Sequence, residues 1–161
     1  MANVSDIVLW EQSNQLHRQL FKIIKQLVIM ENLFIESQSK YSFQQTIEKI
    51  SDIILTGGWN ISVILDLQAS LIKSGIVVLP VKVIELCNPE LASQILQKSE
   101  TRIYSSMLPC KISIYEKDTG KTYLSILNTG AFASQIGGVV ETVMIEAFSQ
   151  AAKFIHQVAE E

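Results

Sequence analysis

The chain has 161 residues, 48% of them hydrophobic, and its 13 Lys and Arg against 16 Asp and Glu leave a net charge of −3. That length suits one domain with a sizeable core. A pI near 5.4 and no Lys/Arg cluster longer than a dipeptide exclude the concentrated basic face that nucleic acid requires, and a polybasic membrane patch with it.

Leu9, Leu16, Leu20, Ile23, Ile24 and Leu27 recur at helical spacing, so residues 1–31 read as an N-terminal amphipathic helix added to a single domain over 32–161. Lys22, Lys25, Gln26, Glu31 and Asn32 interrupt Leu20 to Ile35, which falls short of the roughly 20 apolar residues of a spanning helix. The first residues carry no secretory pattern. With only two cysteines, Cys87 and Cys110, the expectation is a reducing cytoplasm rather than a disulfide scaffold.

Asn32 to Glu36 has strand length. Ser42 and Gln45 have capping-box spacing ahead of Phe43, Ile47, Ile50 and Ile54, and Gly57-Gly58 closes that helix. Asn60 to Leu65 alternates as a strand, with Ile61, Val63 and Leu65 on one side. A short helix from Asp66 to Ser74 runs between Asp66 as N-cap and Gly75 as stop. Val81 to Leu86 is a third strand, and Asn88-Pro89-Glu90 starts a helix that turns Leu91, Ile95 and Leu96 inward. Leu108 to Glu116 and Tyr123 to Leu127 form a hairpin across Lys117-Asp118-Thr119-Gly120. A helical period from Val139 reaches the end of the chain. The order predicts an α+β two-layer sandwich: a mixed, partly antiparallel five-stranded sheet covered by helices, plus the N-terminal helix.

Motifs for catalysis or nucleotide binding are missing: no Gly-x-Gly-x-x-Gly, phosphate loop, Gly-x-Ser-x-Gly or His-Glu-x-x-His occurs. His17 and His156 fall on the polar or boundary sides of terminal helices, and with Cys87 and Cys110 they are too scattered for a zinc site. No cofactor is indicated. Cys87 is the best single candidate for chemistry, because it precedes the Asn88-Pro89 helix start, where the dipole favours a thiolate. Cys110 opens the next strand. If the two strands are neighbours, both thiols share one edge of the sheet, although small buried cysteines are commonly structural.

The stretches Ile84-Glu85-Leu86-Cys87-Asn88-Pro89-Glu90-Leu91-Ala92 and Met107-Leu108-Pro109-Cys110-Lys111-Ile112 resemble the domain of unknown function 302 family, as does Asp66-Leu67-Gln68 with Gly75. The resemblance covers roughly residues 33 to 158. It implies a small α+β domain that commonly forms a homodimer and has no established activity, with Asp66, Cys87, Asn88, Pro89, Leu108, Pro109 and Cys110 as its motif residues. The chain departs from the family pattern in its N-terminal helix, at Tyr104-Ser105-Ser106-Met107 and at Asn128-Thr129-Gly130. The expected function is a cytoplasmic, homodimeric binding or interaction module without a catalytic centre, with a small-molecule ligand as a further partner and neither nucleic acid nor membrane. The alternative is a thiol-based redox or metal-handling protein using Cys87 and Cys110.

Overall fold

A computed structural model describes Gln15, residues 17–20 and residues 33–160. Gln15 and residues 17–20 are helical; the rest of the expected N-terminal helix, Trp10 included, lies outside the described residues. From residue 33 the order is β1 (Phe34–Gln38), α1 (Phe43–Thr56), β2 (Asn60–Asp66), α2 (Leu67–Ile72), β3 (Val81–Cys87), α3 (Pro89–Leu96), a 3₁₀ helix (Arg102–Met107), β4 (Cys110–Glu116), β5 (Thr122–Leu127), α4 (Thr129–Ala133) and α5 (Gly138–Val158). No helix among the described residues is long and apolar enough to cross a membrane.

The five strands form one sheet in the order β1-β5-β4-β3-β2, and all four pairings are antiparallel. The expected mixed sheet is therefore corrected. Helices between strands suggest parallel crossovers, but α2 has six residues and α3 eight. At 1.5 Å per residue they span about 9 and 12 Å, whereas a seven-residue strand runs about 20 Å. Neither helix carries the chain back along the sheet, so each following strand re-enters from the same end.

Local signals set most of the element boundaries. Gln45 Oε1 accepts from the Ser42 backbone N–H at 3.4 Å and from the Ser42 hydroxyl at 3.0 Å. Gly58 follows α1 at φ +78°, a left-handed conformation that glycine adopts without steric cost. The β4–β5 turn closes through Gly120 N–H to Lys117 O at 2.8 Å. Two boundaries differ from expectation. A bulge between Ile61 and Val63 breaks the alternation of β2, leaving Val63, Ile64 and Leu65 equally exposed at 40%. Leu96 also faces outward, while Ala92 and Ile95 turn into the core.

One face of the sheet packs on α1 and α5. Ile84, Leu86, Ile112, Ile114 and Leu124 are fully buried there against Ile50, Ile54 and Ala151. Trp59 joins them, edge-on to Phe154 at 5.9 Å, and its indole N–H donates to Gln150 Oε1 at 2.8 Å. A second cluster, with Ile95, Ala133, Val140 and Met144, ties α3, α4 and α5 together beside the start of β4. Gly130 lets α4 approach α5 closely, because a Cβ there would lie 3.1 Å from Ile145 Cα and push the two apart slightly.

Candidate functional site

Asp66 stands apart from the other motif residues. Asp66 ends β2 and Cys87 ends β3, and the antiparallel register sets Asp66 opposite Lys82, five residues from Cys87. At about 3.4 Å per residue that separation is roughly 17 Å. Asp66 caps α2 by accepting from Ala69 N–H at 2.7 Å, and it pairs with Lys82 at 3.2 Å. The Ala69 bond, aided by Lys82, holds its carboxyl below the usual aspartate range.

Asn88 performs the same task for α3. Its Oδ1 accepts from Glu90 N–H at 3.0 Å and Leu91 N–H at 3.2 Å, with Pro89 in the first turn. These three motif residues are thus committed to starting helices.

Cys87, Asn88, Leu108 and Cys110 do meet, in a crevice with Trp59, Leu91 and Met144 whose open volume is about 10 Å³. That is room for one water at most. Both cysteines are free thiols. Burial pushes Cys110 up to about 11, with the neighbouring Cys87 adding to the rise and Lys111 opposing it; burial raises Cys87 as well. Burial thus works against the thiolate expected at Cys87 from the adjacent helix start. Among the described residues, no three His, Cys, Asp or Glu side chains gather as metal ligands would.

On the other side of the same turn the packing opens. A cavity of about 370 Å³ lies where β4 begins and β5 ends. Its buried lining residues are Cys110, Ile126 and Thr129, and Phe148 of α5, Leu33, Met107 and Pro109 make further apolar wall. Phe132 at 53% exposure and Leu127 at 40% border it with Ser106, and β4 contributes Lys111, at an outward-facing position of the strand. Lys111 carries the one charge among the described lining residues, and its Nζ stands 3.7 Å from Glu85 Oε1.

The sequence marked Pro109 and Cys110 but not the rest of this lining. Ser106, Met107 and Thr129 fall in the two segments, 104–107 and 128–130, where the chain departs from the family pattern. Asn128, in the second, caps α4 by accepting from Ala131 N–H at 3.0 Å, which places Thr129 and Phe132 against the cavity.

A polar cluster on the outer face of the sheet was not foreseen either. Tyr115 and Tyr123 stack at 6.2 Å, and Lys117 lies 3.9 Å above the Tyr123 ring. Glu36 accepts from the Tyr115 hydroxyl and pairs with Lys117 at 2.7 Å. These bonds, Lys117 first, lower the Glu36 carboxyl, while burial and Glu36 push Tyr115 up to about 12. The only advance signal was that Tyr115 and Tyr123 occupy outward positions of the hairpin.

Fold and site together define a small α+β domain with an antiparallel sheet, helices packed on one face and an apolar cavity at one end. The profile of the domain of unknown function DUF302 matches residues 35–160, and the chain belongs to that family. Its fold is similar to the crystal structure of an uncharacterised conserved DUF302 protein from Bacillus stearothermophilus, with a TM-score of 0.71 and 17% identity over 78% of this chain and 98% of that one. No curated protein matches the chain.

Proposed function

We propose that the chain is a homodimeric binding module that holds a small apolar molecule in the cavity beside the Leu108-Pro109-Cys110 turn. The cavity carries this reading. Protein interiors pack to crystal density with few voids larger than a water, and about 370 Å³ lies within the roughly 300–1,000 Å³ range of small-ligand pockets. Apolar side chains dominate the lining, so water gains few partners there and an apolar guest displaces it favourably.

Self-association is supported by a separate surface. Val63, Ile64 and Leu65 of β2 continue into Ile72, Ile76 and Val77, which are 53%, 50% and 88% exposed. Exposed apolar side chains concentrated in one segment of chain support an association site there. The bulge at Ile61/Val63 interrupts the free edge of β2, so side-chain packing about a two-fold axis suits this strip better than strand pairing. Cytoplasmic residence belongs to the same reading, and two free cysteines fit it. The burial-raised thiols favour structural cysteines over a redox pair.

Two experiments test the module. Amide shifts during titration with small apolar probes are expected at residues 106–111, 126–132 and 148, and Ser106→Trp, a change at an exposed mouth position, abolishes them. Shifts scattered over the surface would remove the cavity reading. Light scattering is expected to give twice the 18.0 kDa chain mass, reduced to a single chain in Ile72→Glu/Val77→Glu; a monomeric unmodified protein at micromolar concentration refutes the dimer.

A further inference from the structure

We infer that the cavity takes an uncharged aromatic molecule of one or two rings. This rests on the cavity being a ligand site and adds the chemistry of the ligand.

Size limits the guest first. At about 30 Å³ per water-sized group, about 370 Å³ accommodates roughly a dozen non-hydrogen atoms. That admits one or two rings and excludes nucleotides and long-chain lipids. Charge limits it next, because the polar side chains of the described lining are engaged elsewhere. The buried Thr129 donates to Met144 O of α5 at 3.5 Å, and Ser106 donates to Ile103 O at 3.5 Å. Lys111 faces outward beside Glu85. Burial pushes Cys110 up to about 11, so its thiol carries no charge at neutral pH. A carboxylate, phosphate or ammonium entering this space gives up its hydration without gaining a side-chain partner, a cost that an uncharged molecule avoids.

The wall then selects among uncharged molecules. Phe132 and Phe148 bring two rings to the lining, and Met107 and Cys110 bring two sulfurs. These four belong to α4, α5, the 3₁₀ helix and β4, so a guest filling the space meets a ring or a sulfur from each of those elements. An aliphatic guest buries area against such a wall and gains nothing more. An aromatic guest adds ring–ring and sulfur–ring contacts, each worth roughly a factor of two to ten beyond the buried area. Leu33, Ile126 and Leu127 pack equally well on either class, and the rings and sulfurs therefore decide the preference.

Toluene, methylcyclohexane and benzoate are suitable probes, since each is a single ring with one small substituent and they differ in aromaticity or charge. Each is titrated into the full chain and followed by amide shifts around the cavity, with the affinities of the two hydrocarbons referred to their own transfer from water into alkane. On that scale toluene is expected to bind roughly three- to tenfold more tightly than methylcyclohexane, and benzoate to leave the cavity amides unmoved. Phe132→Leu/Met107→Leu combines an exposed position with a volume-conserving swap. It is expected to cut the preference by about twofold or more while retaining methylcyclohexane binding, and Phe132→Tyr keeps the preference. Equal binding of the two hydrocarbons, a preference unchanged in the double variant, or benzoate bound as tightly as toluene overturns the aromatic assignment; loss of that binding in Ser106→Trp leaves the cavity reading standing. Binding of none of the probes, or binding indifferent to Ser106→Trp, overturns both.

Discussion

Replacing Asn88 by alanine separates a residue that shapes the turn from one that does chemistry. The side chain satisfies two N–H groups, Glu90 at 3.0 Å and Leu91 at 3.2 Å, which otherwise face outward at the start of α3. Loss of such a cap costs about 1 kcal/mol, with a range of roughly 0.5–2. Pro89 keeps its place in the first turn, and Glu90 still complements the helix dipole. Ala92 and Ile95 anchor the helix to the core, so the helix loosens at its start rather than detaching. About 1 kcal/mol in a domain of this size lowers the Tm by roughly 3–5 °C. Asn88→Asp, which also caps, is expected to stay within about 0.5 kcal/mol of the unmodified protein. Calorimetric unfolding and urea midpoints read the stability, and probe titration reads the cavity. Full stability combined with lost probe binding in Asn88→Ala refutes the assignment of Asn88 to helix capping, as does an Asp variant no more stable than the Ala one.

Two further outcomes follow from the same structure. Lys117 and Tyr115 lower the Glu36 carboxyl, so the folded chain binds that proton more weakly than the unfolded chain. Its contribution to stability is complete above the ordinary glutamate range, near about 4.3, and fades as the pH falls through the lowered value. Glu36→Gln is expected to reduce the fall in urea midpoint between about pH 5 and pH 3, and an unchanged fall contradicts this. Cys110, pushed up to about 11, and Cys87 are expected to alkylate slowly with iodoacetamide at neutral pH and to form no internal disulfide under mild oxidation. Rapid labelling at either position, read by intact mass, restores the thiol reading.

Features set by neighbouring residues were legible in the sequence. Ser42 with Gln45, Asn88 with Pro89, and the Gly120 turn each act over a few residues, and their elements lie close to where those signals put them. Sheet direction was harder to read. The alternation of strand and helix suggests parallel crossovers, and only the shortness of α2 and α3 argues for the antiparallel return that occurs. The family motif includes Pro109 and Cys110, which line the cavity, and also Asp66, which lies at the other end of the sheet. Ile126, Phe132 and Phe148 come from β5, α4 and α5, and no local pattern marks them as sharing a space. Glu36 and Lys117 are 81 positions apart, and their pairing depends on β1 adding beside β5.

Crystals held under xenon pressure show directly whether the cavity is open and apolar, because xenon enters dry apolar cavities and leaves polar, hydrated ones. Xenon density is expected between Ile126 and Phe148, next to Cys110, in the unmodified chain, and none there in Ser106→Trp. Side chains closed over the space, or ordered water filling it while xenon binds elsewhere, would contradict it.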